Sequence, residues 1–195
     1  MNFIINLDRQ MMFAVNGLHS AFWDSFFVFV TSPATSIPLY VLVLALIIYK
    51  FKPDVRCMAV AVIAILFTFF LTDFLSVHLF KDVFKRLRPT WDPFTRDAVR
   101  AITGRGGMYG FVSNHASNMF GFSLVSFLIL RRKWFGWLLF IWSSIVAYSR
   151  VYLGKHFPLD VICGAAFGLL VAFLVYRLYI CFLNTNMFRR KTTER

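Results

Sequence analysis

Five runs of apolar residues, each near the length that the hydrocarbon core of a bilayer demands, divide this chain: Ala34 to Tyr49, Met58 to Phe80, Ala116 to Leu130, Trp134 to Tyr148 and Leu159 to Leu183. In hydrocarbon every backbone N–H and C=O must be satisfied within the segment, so such runs are read as helices packed into a bundle. Three of them fall a little short of the roughly 20 residues of a full span. Their helices are therefore predicted to extend into the interfacial belts, with Tyr49, Trp134, Trp137 and Tyr148 as anchors. The composition agrees, with 59% hydrophobic and only 15% charged residues and a mean hydropathy of +0.67. Because no polar segment is long enough to fold separately, residues 1–195 are expected to form a single domain. Its fold class is an all-α, polytopic transmembrane helix bundle.

Met11 to Thr31 is a different kind of segment. Asn16, Ser20 and Asp24 recur at four-residue steps and give an otherwise apolar helix a polar stripe. The stripe favours a helix lying in the interface or packed against polar partners, while the length permits a crossing. The expectation is five spans plus an N-terminal interfacial or sixth spanning helix. No basic n-region with a short apolar core and cleavage site opens the sequence, so no removable signal peptide is expected. Cys57, Cys163 and Cys181 lack metal-ligand spacing and read as small core residues.

A net charge of +12 in a soluble protein would first suggest nucleic acid. Here the cations cluster between apolar spans, which suits membrane topology and anionic head groups, so no nucleic-acid partner is expected. Counting spans puts the loops at Lys50–Arg56 and Arg131–Lys133 and the tail Arg189–Arg195 on one side, with ten basic residues. The loops at Lys81–Gly110 and Ser149–Pro158 fall on the other side, with nine. Charge count alone barely orients such a chain, and the nine need another explanation.

Three patches on that second side form a chemical set: Lys81 followed after six residues by Arg88-Pro89; Ser113-Asn114-His115; and Ser149-Arg150 followed after five residues by His156 and after three more by Asp160. A phosphoryl group carries negative charge throughout its transfer, and fixed cations with helix-terminal N–H donors stabilise it. Lys81, Arg88 and Arg150 supply cations. If the preceding helix runs on through Lys81, two turns bring Arg88 to the same face. Ser113 stands at the N-cap of the run from Ala116, offering N–H groups and a hydroxyl to an anion. His156 and Asp160 stand four apart around Pro158, so the carboxylate can fix the tautomer of an attacking imidazole, with His115 left as the acid for the leaving alkoxide.

These spacings resemble the three-part signature of the type 2 phosphatidic acid phosphatase family, which also holds vanadium haloperoxidases and glucose-6-phosphatase. The first and third motifs match fully; the second has Val112 for proline and Asn114 for glycine, with Ser113 and His115 in place. A positive φ at Asn114 would keep the glycine's backbone angle. The resemblance implies His156 as nucleophile through a phosphohistidine intermediate, Asp160 as its orienting carboxylate and His115 as general acid. It implies Lys81, Arg88, Ser113, Asn114 and Arg150 as phosphate binders, with no metal and no cofactor. It also implies a site on the extracytoplasmic side of a bacterial inner membrane.

A zinc site built from His115, His156 and Asp160 is the chief chemical rival, opposed by the surrounding cations and the lack of a second carboxylate. Asp73 and Arg177, costly within spans, are expected to pair. Trp91, Arg96, Arg100 and Arg105, among Gly104, Gly106, Gly107 and Gly110, form either a basic lid over the site or a solvated loop meeting head groups. If those arginines face the site, a substrate with more than one phosphate, undecaprenyl diphosphate or a lipid A phosphate, is favoured over phosphatidic acid or phosphatidylglycerophosphate. A transferase to a second lipid and a non-catalytic lipid-phosphate binder stay open as alternatives.

Overall fold

The computed structural model describes residues 2–193, with side chains described over 3–185. Eight α-helices follow one another among these residues: α1 (Asn2–Asn16), α2 (Ala21–Thr31), α3 (Ile37–Phe51), α4 (Val55–Leu75), the short α5 (Asp82–Phe84), α6 (Asn114–Leu130), α7 (Lys133–Tyr152) and α8 (Pro158–Thr193). A 3-10 turn, Pro33–Ser36, leads into α3, and a π-helical turn, Ser76–Lys81, joins α4 to α5. The all-helical expectation holds, and each predicted run lies on a helix. Among the described residues three helical stretches are long and apolar enough to cross a membrane: Pro33–Phe51, Val55–Phe84 and Pro158–Thr185.

The other two predicted spans, α6 and α7, are more polar for a physical reason. α6 is the central helix, packed against α4, α7 and α8. Lipid hardly reaches it, so it can carry Ser117, Ser123 and Ser126, all fully buried. Ser123 and Ser143 share a hydrogen bond of 2.7 Å, and Ser143 donates onward to the Met119 carbonyl, stitching α6 to α7. Between helices in lipid there is no hydrophobic driving force, and small residues and such bonds do the packing. Lys50 donates to the Ile129 carbonyl at 2.6 Å, placing a cation at the C-terminus of α6.

The closest approach is between α6 and α8. A Cβ on Gly168 would stand 2.1 Å from the Ser117 carbonyl oxygen, and one on Gly164 would stand 2.6 Å from that of Ser113. Only hydrogen fits at either position, and the contact fixes the start of α6 against the start of α8. The Ser113 N–H donates to the Asp160 carbonyl at 2.9 Å, locking the register.

Several expectations change. Met11–Thr31 is two helices broken at Gly17–Ser20, with Ser20 capping α2 through Trp23. Its polar stripe packs against polar partners: Asn16 donates to the Tyr152 carbonyl at 2.7 Å, and Asp24 binds Arg100 and the Tyr152 hydroxyl. Asp73 does not pair with Arg177. It accepts from Asn114 and Asn118, while Arg177 lies over the Phe173 ring. Cys181 is exposed and Cys57 and Cys163 are half-buried, so the cysteines are not core residues. Tyr49, Trp134, Trp137 and Tyr148 are exposed. The tail cations from Arg189 onward lie outside the residues with described side chains.

Gly168→Val is expected to separate α6 from α8 and destabilise the protein by at least about 1–3 kcal/mol, the usual cost of overpacking. Gly107→Ala, with open space around it, is expected to change little. Thermal unfolding in detergent checks both; equal melting temperatures for the two variants would contradict the packing described.

Candidate active site

The motif residues come together at one end of the bundle. Lys81 closes the π turn, where the widened helix ends and Lys85, with φ +47°, turns the chain back. Arg88 is therefore not on a helix face shared with Lys81. It sits in an extended segment in which the Arg88 N–H bonds Met108 and the Gly110 N–H bonds Arg86, a short antiparallel pairing around Leu87 and Tyr109. Its Nε donates to the Tyr109 carbonyl at 3.1 Å. Gly110 is squeezed here: a Cβ would stand 3.0 Å from both Arg88 Cγ and Asp160 Oδ2.

Arg150 lies in the last turn of α7, is buried, and donates to the Thr31 hydroxyl. The Arg150 carbonyl accepts from the N–H groups of Lys155 and His156, curling the chain so that His156 returns beside it. The charges of Arg88, Arg150 and Lys81 all act on His156, and the same three act on His115 at the start of α6. Three cations thus converge on two histidines from separate parts of the chain.

His156 is 1% exposed. Burial first, then Arg88, Arg150 and Lys81, hold it well below the ordinary histidine value, while the Gly110 backbone opposes them. It is therefore a neutral imidazole at pH 7. Its Nδ1 stands 3.5 Å from Asp160 Oδ2, ion-pair range but too long for a normal hydrogen bond. With the carboxylate and Gly110 on its Nδ1 side, the proton belongs there and the Nε2 lone pair is left for chemistry.

Asp160 is held elsewhere. Its Oδ2 accepts from the Phe157 N–H at 3.1 Å and its Oδ1 from Arg86 at 2.6 Å. Arg86 also grips Asp8 of α1, whose other oxygen takes the Leu159 N–H at 2.8 Å. Its guanidinium lies over the Phe157 ring, 4.6 Å from the centroid. One arginine thus bridges two carboxylates, both fully or nearly buried, and ties the N-terminal helix to the opening of α8. Sequence reasoning missed Arg86 and Asp8. The available signal was a second arginine two residues before the motif arginine, together with a carboxylate on the apolar first helix.

The second motif behaves differently from its expectation. Ser113 is the N-cap of α6, fully buried, with its hydroxyl unpartnered among the described residues. The N–H groups of the next three residues, Asn114 to Ala116, have no acceptor within the helix, as at any helix start. Asn114 does not adopt a positive φ; it begins the helix, and its side-chain amide turns to Asp73 at 2.8 Å. The glycine of the related motif is therefore replaced by a residue reaching outward.

The lid arginines stay out of the cluster. Arg100 binds Asp24, Arg96 pairs with Asp97, and Arg105 lies over Trp91. The loop is lashed down by Arg9 to Asp92 at 2.9 Å and by Asn16, which accepts the Arg100 N–H. Lys155, assigned no role from the sequence, is buried beside His156 and donates to the Thr103 and Gly104 carbonyls. Burial, then Arg150 and Arg88, push it below the ordinary lysine value.

The sequence model of the PAP2 superfamily matches residues 57–181, a stretch that holds every motif residue above. The chain belongs to the PAP2 superfamily. It is 34% identical over 181 residues to lipid A 4'-phosphatase of Porphyromonas gingivalis, covering 92% of this chain and 76% of that protein. It is 33% identical over 177 residues to lipid A 4'-phosphatase of Bacteroides thetaiotaomicron, covering 89% and 77%. Among solved structures it resembles a transmembrane PAP2-type phosphatidylglycerolphosphate phosphatase of Bacillus subtilis, with TM-score 0.70 at 23% identity, covering 91% of this chain and 87% of that one. As a PAP2 member it is a multi-pass bacterial membrane protein and a lipid phosphatase.

Arg86→Ala leaves two buried carboxylates without their shared partner and is expected to cost on the order of 3–5 kcal/mol of stability. Arg86→Lys, which keeps the charge but loses the fork, is expected to retain more. Unfolding in detergent tests the order; Arg86→Ala as stable as wild type would contradict the bridge. A depressed His156 also has a pH consequence. The unfolded chain takes up this proton near pH 6.5, whereas the folded site resists it. Stability from this group is complete above pH 6.5 and falls as pH drops below it. Imidazole ¹⁵N NMR, with His156→Gln for assignment, is expected to show a neutral ring at pH 6; a protonated ring there would contradict the site's electrostatics.

Proposed function

We propose that the chain hydrolyses a lipid phosphate monoester by way of a phosphohistidine on His156, with a lipid A-type phosphate as the favoured substrate. The observation that carries this reading is the convergence of Lys81, Arg88 and Arg150 on two histidines, one of them neutral and backed by a carboxylate. Such an array has a vacancy in charge that a phosphate fills. The substrate preference rests on the lipid A 4'-phosphatases among the relatives.

The proposed steps follow from the geometry. Lys81, Arg88, Arg150, the Ser113 hydroxyl and the first N–H groups of α6 hold the phosphoryl oxygens. Asn114 contributes its backbone N–H, since its side chain is engaged with Asp73. His156 Nε2 attacks phosphorus, and the bond from phosphorus to the lipid oxygen breaks. His115, in its protonated form, gives its proton to the departing alkoxide. Water then attacks the phosphohistidine, His115 takes the water's proton, and inorganic phosphate leaves. Asp160 steadies the positive charge on His156 in the first step and is itself steadied by Arg86. No metal enters these steps.

We further assign one membrane-embedded unit in which α3, α4, α6, α7 and α8 cross the bilayer. α2 has 11 residues and spans about 16 Å, against roughly 30 Å of hydrocarbon, so α1 and α2 lie along the interface. Basic residues at the two ends nearly balance, so the orientation rests on the family: the site is assigned to the extracytoplasmic side of the inner membrane, with Lys50, Lys52, Arg56, Arg131, Arg132 and Lys133 at the cytoplasmic end.

Phosphate release from a lipid A phosphate, measured in detergent with a chelator present, tests the chemistry. Wild type is expected to turn over and His156→Ala to lose at least about a thousandfold in kcat. Full activity in the variant would remove His156 as nucleophile, and loss of wild-type activity on chelation would contradict the metal-free route.

A further inference from the structure

We propose that Asp73, Asn118 and His78 form a sugar-recognising subsite beside the phosphate site, so that the protein selects lipid phosphates in which the phosphate is carried on a hydroxyl-bearing ring. This deepens the substrate reading above and rests on it. The starting point is an anomaly. Asp73 is an exposed carboxylate in the middle of the apolar stretch Val55–Phe84, where a lone charge in lipid is expensive. Among the described residues no cation comes within ion-pair distance of it, and Lys81 acts on it only from farther off. Its hydrogen-bond partners are two side-chain amides of α6, Asn114 at 2.8 Å and Asn118 at 3.3 Å.

Those amides orient the cluster. Each Asn gives an N–H to the same Asp73 oxygen, and each keeps a carbonyl oxygen that is buried and unpartnered. Both amides bond one oxygen of Asp73 and hold the exposed carboxylate in place, so that its other oxygen is presented as an acceptor, which suits a hydroxyl or amide N–H of an acylated sugar. Asp73 also faces a groove of about 480 Å³ along α4, lined by Leu66, Phe69, Phe70, Phe74, Val77 and His78. At its upper end the His78 ring stacks on Phe74 at 4.0 Å, and Phe74 stacks on Phe70. His78 Nδ1 meets the Phe74 carbonyl at 2.8 Å; a carbonyl only accepts, so Nδ1 donates and Nε2 remains available. Carboxylate, amides and stacked aromatic rings together suit the polar edge and apolar face of a pyranose, and the apolar remainder of the groove suits an acyl chain.

Position ties this subsite to the reaction. Asn114, whose side chain holds Asp73, stands between Ser113 and His115, so the cluster is joined directly to the proposed phosphate cradle. Asp73 is eight residues before Lys81, roughly 12 Å along the helix, on the membrane side of it. A lipid whose phosphate lies at the cations places its next structural unit at that depth. In a polyprenyl phosphate that unit is an apolar isoprene, which has nothing to offer Asp73; in a glycolipid phosphate it is the sugar.

The test compares kcat/KM on two substrates, a lipid A phosphate and undecaprenyl phosphate, for wild type, Asp73→Asn and Asn118→Leu. Each variant is expected to lose at least tenfold on the glycolipid, mostly through KM, and no more than threefold on the polyprenyl phosphate. Equal losses on both substrates would reduce the cluster to a structural support of α6 and overturn the proposal, as would unchanged values or a wild-type preference for the polyprenyl phosphate. Asn118→Leu keeps the test decisive should Asp73→Asn not fold. The substrate ratio is independent of the nucleophile: activity surviving in His156→Ala would end the mechanism above and leave this comparison standing.

Discussion

Gly164 and Gly168 let the backbone of α8 rest on the backbone of α6 at Ser113 and Ser117, and the Ser113 N–H bonds the Asp160 carbonyl at that contact. Everything at the site depends on this approach. His115 begins one helix and His156 precedes the other, so the distance between the two histidines is set by helix packing rather than by a loop. Side chains larger than hydrogen at these two positions would part the helices and with them the two halves of the chemistry. The close packing also explains the serine-rich, glycine-bearing composition of α6, which makes it less apolar than α3 and α4 without making it less a part of the bundle.

Concentrating cations in a nearly buried place is unfavourable, and the structure shows what holds them. Arg88 is pinned by the Tyr109 carbonyl, Arg150 by Thr31, and Lys155 by loop carbonyls. Among the described residues of this cluster, Arg86 makes close ion pairs, with Asp8 and Asp160. Arg88, Arg150 and Lys81 make none, and although Asp160 acts on Arg88 and Lys81 and Asp73 on Lys81 from farther off, the charges of all three still bear on the histidines. In the proposed reaction an anion would relieve this repulsion on entry, and the same donors would meet the charge as it redistributes over the phosphoryl oxygens.

Much of this was legible in the sequence, and the exceptions have physical causes. Helix positions were readable because hydrocarbon imposes a length on an apolar run, and the gathering of the motif residues at one end of the bundle because their spacing set them apart from ordinary loop cations. The π turn was not, since nothing in Ser76–Lys81 distinguishes five-residue from four-residue hydrogen bonding; hence Arg88 was placed on a helix when it lies in an extended segment. Arg86 and Asp8 were missed because a tertiary contact between residues 78 apart leaves no local pattern. Asn114 was read as a glycine substitute, whereas its side chain is engaged by Asp73, a residue that sequence reasoning had paired with Arg177. In each case the chain element was found and its partner was not.

The most direct test of the account is to look for phosphate on the enzyme during turnover. His115→Ala, deprived of the group proposed to activate water in the second step, should accumulate the intermediate when supplied with a substrate whose leaving group needs no proton, such as an aryl phosphate. Quenching in base, which preserves phosphohistidine, followed by peptide mass spectrometry is predicted to find a phosphoryl group on His156. A turning-over enzyme with His156 unmodified and the phosphoryl group on another residue, or on none, would contradict the histidine-centred mechanism.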